Sequence, residues 1–188
     1  MKFEEGKVIG RIFVPKGKDM MEIVIRFPKK TEAFAIWKFF NKVIRETEFL
    51  FRVTPVSLEE ERKWLAGMIR GSKHNNRVYL VAECGKAIIG SVSITREAEA
   101  SRHVGDYGIC ILQEYTGLGI GTKLTKCAIK LAKSDMKLEI IKLNVYSKNK
   151  IALNLYKKMG FIRAGKIPKG VKKKSGYMDN IIMYKVIK

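Results

Sequence analysis

The chain has 188 residues, of which 46% are hydrophobic, and a formal net charge of +20. This length suits one hydrophobic core, no window approaches the roughly 20 apolar residues of a membrane span, and the first residues lack the apolar core of a secretory signal. Three cysteines without a CxxC pair, and only two histidines, support neither a disulfide framework nor a zinc site. From these features together we expect a cytoplasmic protein with no metal and no membrane partner.

The first part of the chain is predicted to form two strands. Residues 7–14 and 21–27 alternate in hydrophobicity, and residues 15–19 form a break between them. We therefore expect residues 1–20 to be an N-terminal extension that forms an extra strand or a hairpin arm. Residues 21–188 are expected to form a single domain, since no internal repeat or low-complexity linker divides them.

Two helices are predicted next. In residues 31–45, apolar side chains recur at helical spacing. The predicted core-facing residues of this helix are Phe34, Trp37, Phe40 and Ile44. Ser57 and Glu60 have the spacing of a capping box, in which each side chain accepts a hydrogen bond from the backbone N–H of the other residue. A second helix is therefore expected from this box to about Gly71.

The remaining elements mix strands and helices. Residues 77–84 and 87–95 flank a Gly-Lys pair as an antiparallel hairpin, and residues 104–112 form a strand that ends in a glycine-rich turn. A helix, a strand, a helix and two closing strands follow, with the lysine-rich run 166–176 as the loop between the last two strands. The pattern predicts a mixed α/β fold with one central sheet.

Three alternate glycines, Gly117, Gly119 and Gly121, lie between that strand and an amphipathic helix. Such glycines let backbone N–H groups close around phosphate oxygens, and the helix N-terminus adds its partial positive charge. A Walker-type loop is excluded because the last glycine is followed by Thr122 and not by a lysine. A dinucleotide fingerprint is excluded because its third glycine would lie one position later than Gly121. A plain strand-to-helix turn stays open on this motif alone. We expect a phosphorylated cofactor here.

A second motif reads Asn149-x-x-Ala152-x-x-x-Tyr156-x-x-x-Gly160-Phe161. With the glycine turn upstream of it, in that order and spacing, the chain resembles the acetyl-CoA-binding core of the GNAT N-acetyltransferase superfamily over all but the N-terminal extension. The resemblance implies a central, mostly antiparallel twisted sheet flanked by helices. It also implies that acetyl-CoA is the co-substrate.

The resemblance further implies roles for individual residues. The end of the central strand would offer backbone groups to the pantetheine arm, and the glycine turn would hold the pyrophosphate. Asn149 would contact the cofactor, and Tyr156 would give the leaving thiolate its proton. The implied cofactor-binding residues are Ile109, Cys110, Ile111, Thr116, Gly117, Leu118, Gly119, Ile120, Gly121, Thr122, Asn149, Ala152 and Tyr156.

These roles have structural alternatives. A tyrosine on an amphipathic helix is usually a packing residue, and an asparagine ahead of a helix is commonly its N-cap, so spacing alone leaves Tyr156 and Asn149 open. Thr116 departs from the family, in which Gln or Arg opens the turn. We expect backbone amides to carry the phosphate contact and the Thr116 hydroxyl to bond a phosphate or cap the helix.

The sequence does not assign the general base. In the ribosomal-protein acetyltransferases of this superfamily a glutamate often stands at the position of Asn144, and an asparagine amide cannot accept a proton at neutral pH. Other candidates are isolated groups that are more often solvated or structural. They are Glu48, His103, Asp106 and Glu114. A chain of waters is the other route.

The function that follows is acetyl transfer from acetyl-CoA to a primary amine in a direct ternary complex. The acceptor stays open between small amines or amino acids and peptides or proteins, while the +20 charge disfavours polyamines. The same charge has three interpretations: a solvated lysine-rich surface, a field that attracts coenzyme A, and nucleic-acid binding. The even spread of lysines along the chain does not favour nucleic-acid binding. The alternative is a non-catalytic acetyl-CoA-binding or ribosome-associated basic module. A homodimer is compatible with either.

Overall fold

The computed structural model describes residues 3–17 and 19–188. Within them, one eight-stranded sheet is accompanied by four α-helices. The strands are β1 (Val8–Lys16), β2 (Asp19–Arg26), β3 (Arg77–Cys84), β4 (Ala87–Arg96), β5 (Val104–Ile111), β6 (Ile140–Tyr146), β7 (Ile162–Lys173) and β8 (Gly176–Val186). The α-helices are α1 (Ala33–Glu46), α2 (Leu58–Lys73), α3 (Ile120–Ser134) and α4 (Lys150–Lys158). None of these four helices of the described chain is long and apolar enough to cross a membrane.

The strands lie in the order β1-β2-β3-β4-β5-β6-β8-β7. All neighbours are antiparallel except β5 and β6, which run parallel. The expected mixed α/β fold with a mostly antiparallel central sheet is confirmed. β1 is an edge strand that pairs with β2.

The single parallel pair is short. β5 is bonded to β6 only from Val104 to Asp106. Beyond that point β5 continues against β4 as far as Ile111, and β6 continues against β8 as far as Tyr146. The two strands therefore separate toward their C-terminal ends, and one edge of β5 faces a cleft.

Helices cover both faces at the centre of the sheet. The five successive residues from Val78 to Ala82 in β3 are at most 3% exposed, and successive side chains of a strand point to opposite faces. Helices α2 and α3 both pack on β3, and α1 packs on β4 and β5. This is why β3 carries a continuous apolar run instead of an alternating one.

The buried face of α1 differs from the expected one. Ile36, Phe39 and Val43 are buried, whereas Phe34 is 57% exposed. The other members of the expected set are the half-buried Trp37, Phe40 and Ile44. Both sets recur at helical spacing, so periodicity could not choose between them; contact with β4, β5 and α2 decides.

Side chains of α1 fix the segment that leads into α2. Trp37 Nε1 donates to Val56 O at 2.8 Å, and Asn41 exchanges two hydrogen bonds with the Val56 backbone, at 3.0 and 2.8 Å. The predicted capping box follows: Ser57 Oγ accepts from Glu60 N at 3.2 Å, and Glu60 Oε2 accepts from Ser57 N at 2.7 Å. Helix α2 is therefore held in a fixed position beside α1.

The lysine-rich run is a strand and not a loop, contrary to expectation. Residues 166–173 belong to β7, and only residues 174–175 form the turn to β8. β7 is an edge strand, where exposed lysines are tolerated and discourage pairing with other chains. At its end, Lys173 Nζ donates to Leu50 O and lies 5.5 Å from the Tyr146 ring centroid. The β7–β8 hairpin thus contacts the loop between α1 and α2.

Candidate active site

Backbone hydrogen bonds fix which side of β5 faces the cleft. Leu112 N donates to Ile89 O at 3.0 Å just beyond one end of β5, and Glu97 N donates to Val104 O at 2.9 Å at the other end. Between these ends the pairing with β4 shows no shift in register. Since backbone groups alternate sides along a strand, the even-numbered residues of β5 bond to β4 and the odd-numbered ones face away from it.

Three residues near the end of β5 are expected to offer backbone groups to a ligand. The N–H and C=O groups of Ile109 and Ile111 face the cleft. Those of Cys110 belong to the ladder with β4, opposite Ser91, so Cys110 borders the cleft without offering its backbone. The expectation for Cys110 is corrected in this respect, because a strand presents only every second residue to one edge.

Two cavities meet at this open edge. The larger cavity, of about 450 Å³, lies among α1, α2, α4 and strands β3 to β6. The smaller cavity, of about 360 Å³, lies among the end of α1, the end of β5 and the start of α4. The residues that line both are Phe49, Leu50, Ile109, Cys110, Asn149 and Ala152. An extended ligand in the smaller cavity can therefore follow β5 into the larger one.

The glycine turn begins at Thr116, which lines the smaller cavity. Gly117 and Gly119 have φ angles of 79° and 81°, in the left-handed region that favours glycine. Gly119 is the N-cap of α3, and the first helical hydrogen bond runs from Lys123 N to Gly119 O at 3.1 Å. The N–H groups of residues 120–122 thus have no helical acceptor, which is the arrangement that binds anions at helix N-termini.

Side chains of the turn point into the protein. Ile120 is fully buried, and Leu118 packs against the core. A Cβ added at Gly121 would lie 3.2 Å from Ile111 Cδ1 and from Leu155 Cδ2. Gly121 therefore permits the close packing of α3 on β5 and α4, and a side chain there would point inward and not into the space in front of the turn.

Thr116 does not cap α3. Its Oγ1 donates to Gln113 O at 2.8 Å, and α3 begins four residues later. The expected capping role is wrong because the hydroxyl closes its own turn. Positive charge near the turn comes from Lys148 and Lys150, which line the smaller cavity.

Asn149 is the N-cap of α4. Its Oδ1 accepts a hydrogen bond from Ala152 N at 3.1 Å, so the capping alternative is confirmed. Asn149 and Ala152 both border the two cavities. Their contact with the cofactor stays a prediction.

Tyr156 on α4 is 5% exposed and lines the larger cavity. Its ring packs edge-on against Tyr107 at a centroid distance of 5.8 Å, and lies equally far from Phe161, at 5.8 Å. Burial raises the pKa of its hydroxyl above the ordinary value for tyrosine. The group is therefore protonated at neutral pH and able to donate.

The neighbouring Tyr107 differs in its hydroxyl. Its oxygen lies 2.7 Å from Thr125 Oγ1, which in turn donates to Gly121 O at 2.7 Å. Since the Thr125 proton is used, Tyr107 is the donor in this pair. The Tyr156 hydroxyl has no hydrogen-bond partner within residues 3–17 and 19–188, so of the two it is the one that can serve a ligand.

The base candidates taken from the sequence lie outside both cavities as the described residues define them. Glu114 Oε1 is 2.7 Å from Lys42 Nζ, and Glu48 accepts from the hydroxyl in the β7–β8 turn. His103 and Asp106 are at the end of β5 that is closed against β6.

Glu61, a residue that the sequence reasoning missed, lines the larger cavity. It is 4% exposed, and its carboxylate has no hydrogen-bond or ion-pair partner in the described part of the chain. Burial raises the pKa of this carboxyl to about 7, against the opposing effect of Arg52. The available signal was its place on the buried stripe of α2 with Leu65, Met68 and Ser72, where a charge is unusual.

Asn144 also lines the larger cavity, but on its exposed side. Its Oδ1 accepts from Asn180 Nδ2 at 3.1 Å. Asn144 therefore presents an amide, which cannot accept a proton at neutral pH. The buried carboxylate of the cavity comes instead from α2.

The cysteines are thiols. Cys84, Cys110 and Cys127 are free, and burial raises the pKa of the Cys110 thiol to about 12. No group of three or more His, Cys, Asp or Glu side chains in the described ranges could hold a metal ion. A metal-free reaction stays a prediction.

The sequence profile of the Acetyltransferase (GNAT) family matches residues 31–161. The chain belongs to the GNAT acetyltransferase family. It is 29% identical over 168 residues to L-amino acid N-acetyltransferase AaaT of Escherichia coli (strain K12), covering 89% of this chain and 99% of that protein.

Solved structures agree with this membership. The acetyltransferase of the GNAT family from Streptococcus pneumoniae superposes with a TM-score of 0.80 at 29% identity, covering 87% of this chain and 99% of that one. The yncA protein of Salmonella typhimurium, solved with acetyl-CoA, superposes with a TM-score of 0.79 at 20% identity, covering 88% and 94%. The expected superfamily, the fold and an acetyl-CoA-dependent N-acetyltransferase are confirmed.

Proposed function

We propose that this GNAT protein transfers the acetyl group of acetyl-CoA directly to a primary amine held in the larger cavity. The observation that carries the proposal is the open edge of β5, which both cavities share. A donor bound along this edge and an acceptor in the larger cavity would meet at the same backbone groups. No covalent relay through the protein is then needed.

The smaller cavity and the glycine turn fit the donor. Pantetheine is an extended amide chain, and Ile109 and Ile111 offer it the free edge of a strand. The free N–H groups of residues 120–122 and the ammonium groups of Lys148 and Lys150 suit the phosphates. Acetyl-CoA supplies an activated acetyl group as its thioester.

The chain supplies stabilisation and a proton. A free N–H at the end of β5 can donate to the carbonyl oxygen as negative charge develops on it. The Tyr156 hydroxyl, protonated and without a partner in the described residues, can donate to the departing sulfur. Asn149 caps α4, the helix that carries Tyr156, and both residues line the larger cavity.

The larger cavity favours a small acceptor with an apolar side chain. Its walls include many apolar and aromatic residues and few charged ones. The apolar and aromatic residues of these walls include Ile36, Phe39, Phe40, Phe49, Leu50, Phe51, Val56, Trp64, Tyr79, Tyr107 and Tyr146. The Arg52 guanidinium on the same wall donates to Glu60 and to Thr54 O, and its Nη1, which has no partner in the described residues, suits a carboxylate. An apolar L-amino acid combines these features, and the Escherichia coli relative is named for L-amino acid acetylation.

A panel of acceptors tests this proposal. CoA release and the acetylated product are measured by thiol titration and mass spectrometry for L-phenylalanine, L-methionine, L-aspartate, spermidine and short peptides. We expect kcat/KM to be highest for the apolar amino acids, since each buried methylene contributes about 0.8 kcal/mol. Transfer to peptides alone would overturn the small-acceptor assignment, and release of CoA without an acetylated amine would overturn the proposed function.

A further inference from the structure

Building on the proposed function, we infer that Glu61 is the residue that binds the acceptor's ammonium group in the larger cavity and takes its proton before acetyl transfer. Glu61 and the open edge of β5 line the same cavity, so an amine held by the carboxylate is enclosed together with the site of the thioester. The inference extends the site by a residue of α2, an element for which the sequence motifs imply no role.

The surroundings of Glu61 lack a cation that fully neutralises it. At 4% exposed it is largely removed from water, and no side chain in the described residues donates to it. A buried carboxylate without a partner is costly, and a bound ammonium group would relieve that cost. The same argument explains why a charged residue lies on the apolar stripe of α2.

Other titratable groups near Glu61 are few. On its own side of the cavity are Arg52, which interacts with it weakly, and Glu60, which is occupied by Ser57 and Arg52. The turn before α1 contributes Glu32, which is bound to Arg26. From β3, β5, β6 and α4 the cavity receives Tyr79, Tyr107, Cys110, Tyr146 and Tyr156, and α1 contributes only apolar side chains.

These neighbours leave Glu61 as the cavity group that titrates near neutrality. Burial raises its pKa to about 7, whereas burial moves the pKa of Tyr79, Tyr107, Cys110 and Tyr156 upward and away from neutral pH. A base is most effective when its pKa lies near the working pH. Glu61 meets this condition and is also in position.

The proton balance is complete with groups already named. The ammonium group gives one proton to Glu61 and becomes a neutral amine. Its nitrogen forms the new C–N bond, the C–S bond of the thioester breaks, and the sulfur receives a proton from the Tyr156 hydroxyl. The nitrogen loses a second proton as the amide forms, which restores Tyr156 through solvent, and the proton on Glu61 is released to water.

Glu61→Gln tests the inference, because the amide keeps the shape and loses the basic charge. We expect kcat/KM for L-phenylalanine to fall by roughly 10² to 10⁴ at neutral pH while acetyl-CoA affinity is retained. In the parent, kcat/KM rises with pH and levels off above about pH 7, and this limb is absent in the variant. Glu59→Gln is the matched control, since Glu59 is exposed on the same helix, outside the cavity, and should keep the parent's profile.

Two further measurements do not depend on turnover. With saturating CoA present, calorimetry should show that the parent prefers L-phenylalanine to 3-phenylpropanoate, which lacks the amino group, and that Glu61→Gln loses this preference. A carboxyl whose pKa is raised on folding, here from 4.5 to about 7, is destabilising once ionised, so the parent's Tm should fall relative to that of Glu61→Gln between about pH 4.5 and about pH 7 and then level off.

The outcomes separate the two claims. An active parent with an unchanged pH profile in Glu61→Gln overturns the role of Glu61 and leaves the proposed function standing. A parent that transfers acetyl to none of the amines overturns the proposed function. Equal binding of the amine and its desamino analogue by the parent overturns the inference whatever the transfer assay gives.

Discussion

Tyr107 and Tyr156 are both buried tyrosines in contact with each other, yet their hydroxyl groups are used differently. The Tyr107 hydroxyl donates to Thr125 on α3, a bond inside the fold. The Tyr156 hydroxyl opens on the larger cavity without a partner in the described residues. Exchanging each tyrosine for phenylalanine should therefore separate a structural hydroxyl from a catalytic one.

Tyr156→Phe should lower kcat by roughly 10² to 10⁴ with little change in acetyl-CoA affinity, because it deletes the proton donor and leaves the packed ring. Tyr107→Phe, by contrast, should lower the free energy of unfolding by about 1 kcal/mol through loss of a buried hydrogen bond. Steady-state kinetics and thermal melts of the two variants measure this. A folded Tyr156→Phe protein whose kcat stays within about threefold of the parent would return Tyr156 to a packing role.

The glycine turn and the start of α3 act as one element, and its glycines are needed for two reasons. Gly119 adopts a left-handed φ of 81° at the N-cap, whereas Gly121 lets Ile111 and Leu155 approach α3 closely. A branched side chain at either position would shift the free N–H groups of the turn. The phosphate contacts depend on those N–H groups.

Gly119→Val and Gly121→Val should each reduce acetyl-CoA affinity by at least about tenfold, equivalent to about 1.4 kcal/mol. Gly165→Val is the control, since a Cβ there meets nothing within 4 Å. Titration calorimetry with acetyl-CoA, after circular dichroism has shown that each variant is folded, gives the comparison. Parent-like affinity in both turn variants would mean that another segment holds the phosphates.

The sequence predicts most elements because their local patterns agree with the final packing. The capping box at Ser57 and the hairpin formed by β3 and β4 are found where their residues predict them. The buried side of α1 is not, because two sets of apolar residues share helical spacing and only tertiary contacts distinguish them. The prediction that the lysine-rich run forms a loop is also wrong, since charge composition does not reveal that an exposed edge strand can carry these lysines.

The site is predictable only in part for a related reason. Glycine spacing and the Asn149 motif mark the donor side, where local backbone geometry carries the function. Glu61 and the acceptor cavity arise from helices and strands that are distant in sequence, so no short motif reports them. The division into a 1–20 extension and a 21–188 domain stays a prediction, as do the roles of the site residues.

Taken as a whole, the molecule combines a strongly basic chain with a cavity whose buried charge is acidic. The +20 charge favours approach of the anionic donor and disfavours polycationic acceptors. The larger cavity presents one buried carboxylate among apolar walls, which suits a single amino group. Donor and acceptor are thus selected by different parts of one fold, with β5 between them.

Direct transfer is the central claim, and Cys110 provides its sharpest test, since it borders both cavities and could in principle carry the acetyl group. Its thiol has a pKa raised to about 12 by burial, so it is not a nucleophile at neutral pH. Initial rates over both substrate concentrations, with intact-mass measurement of the protein in acetyl-CoA alone, decide the matter. We predict intersecting double-reciprocal lines and an unmodified chain; parallel lines together with an acetyl group on Cys110 would contradict the account.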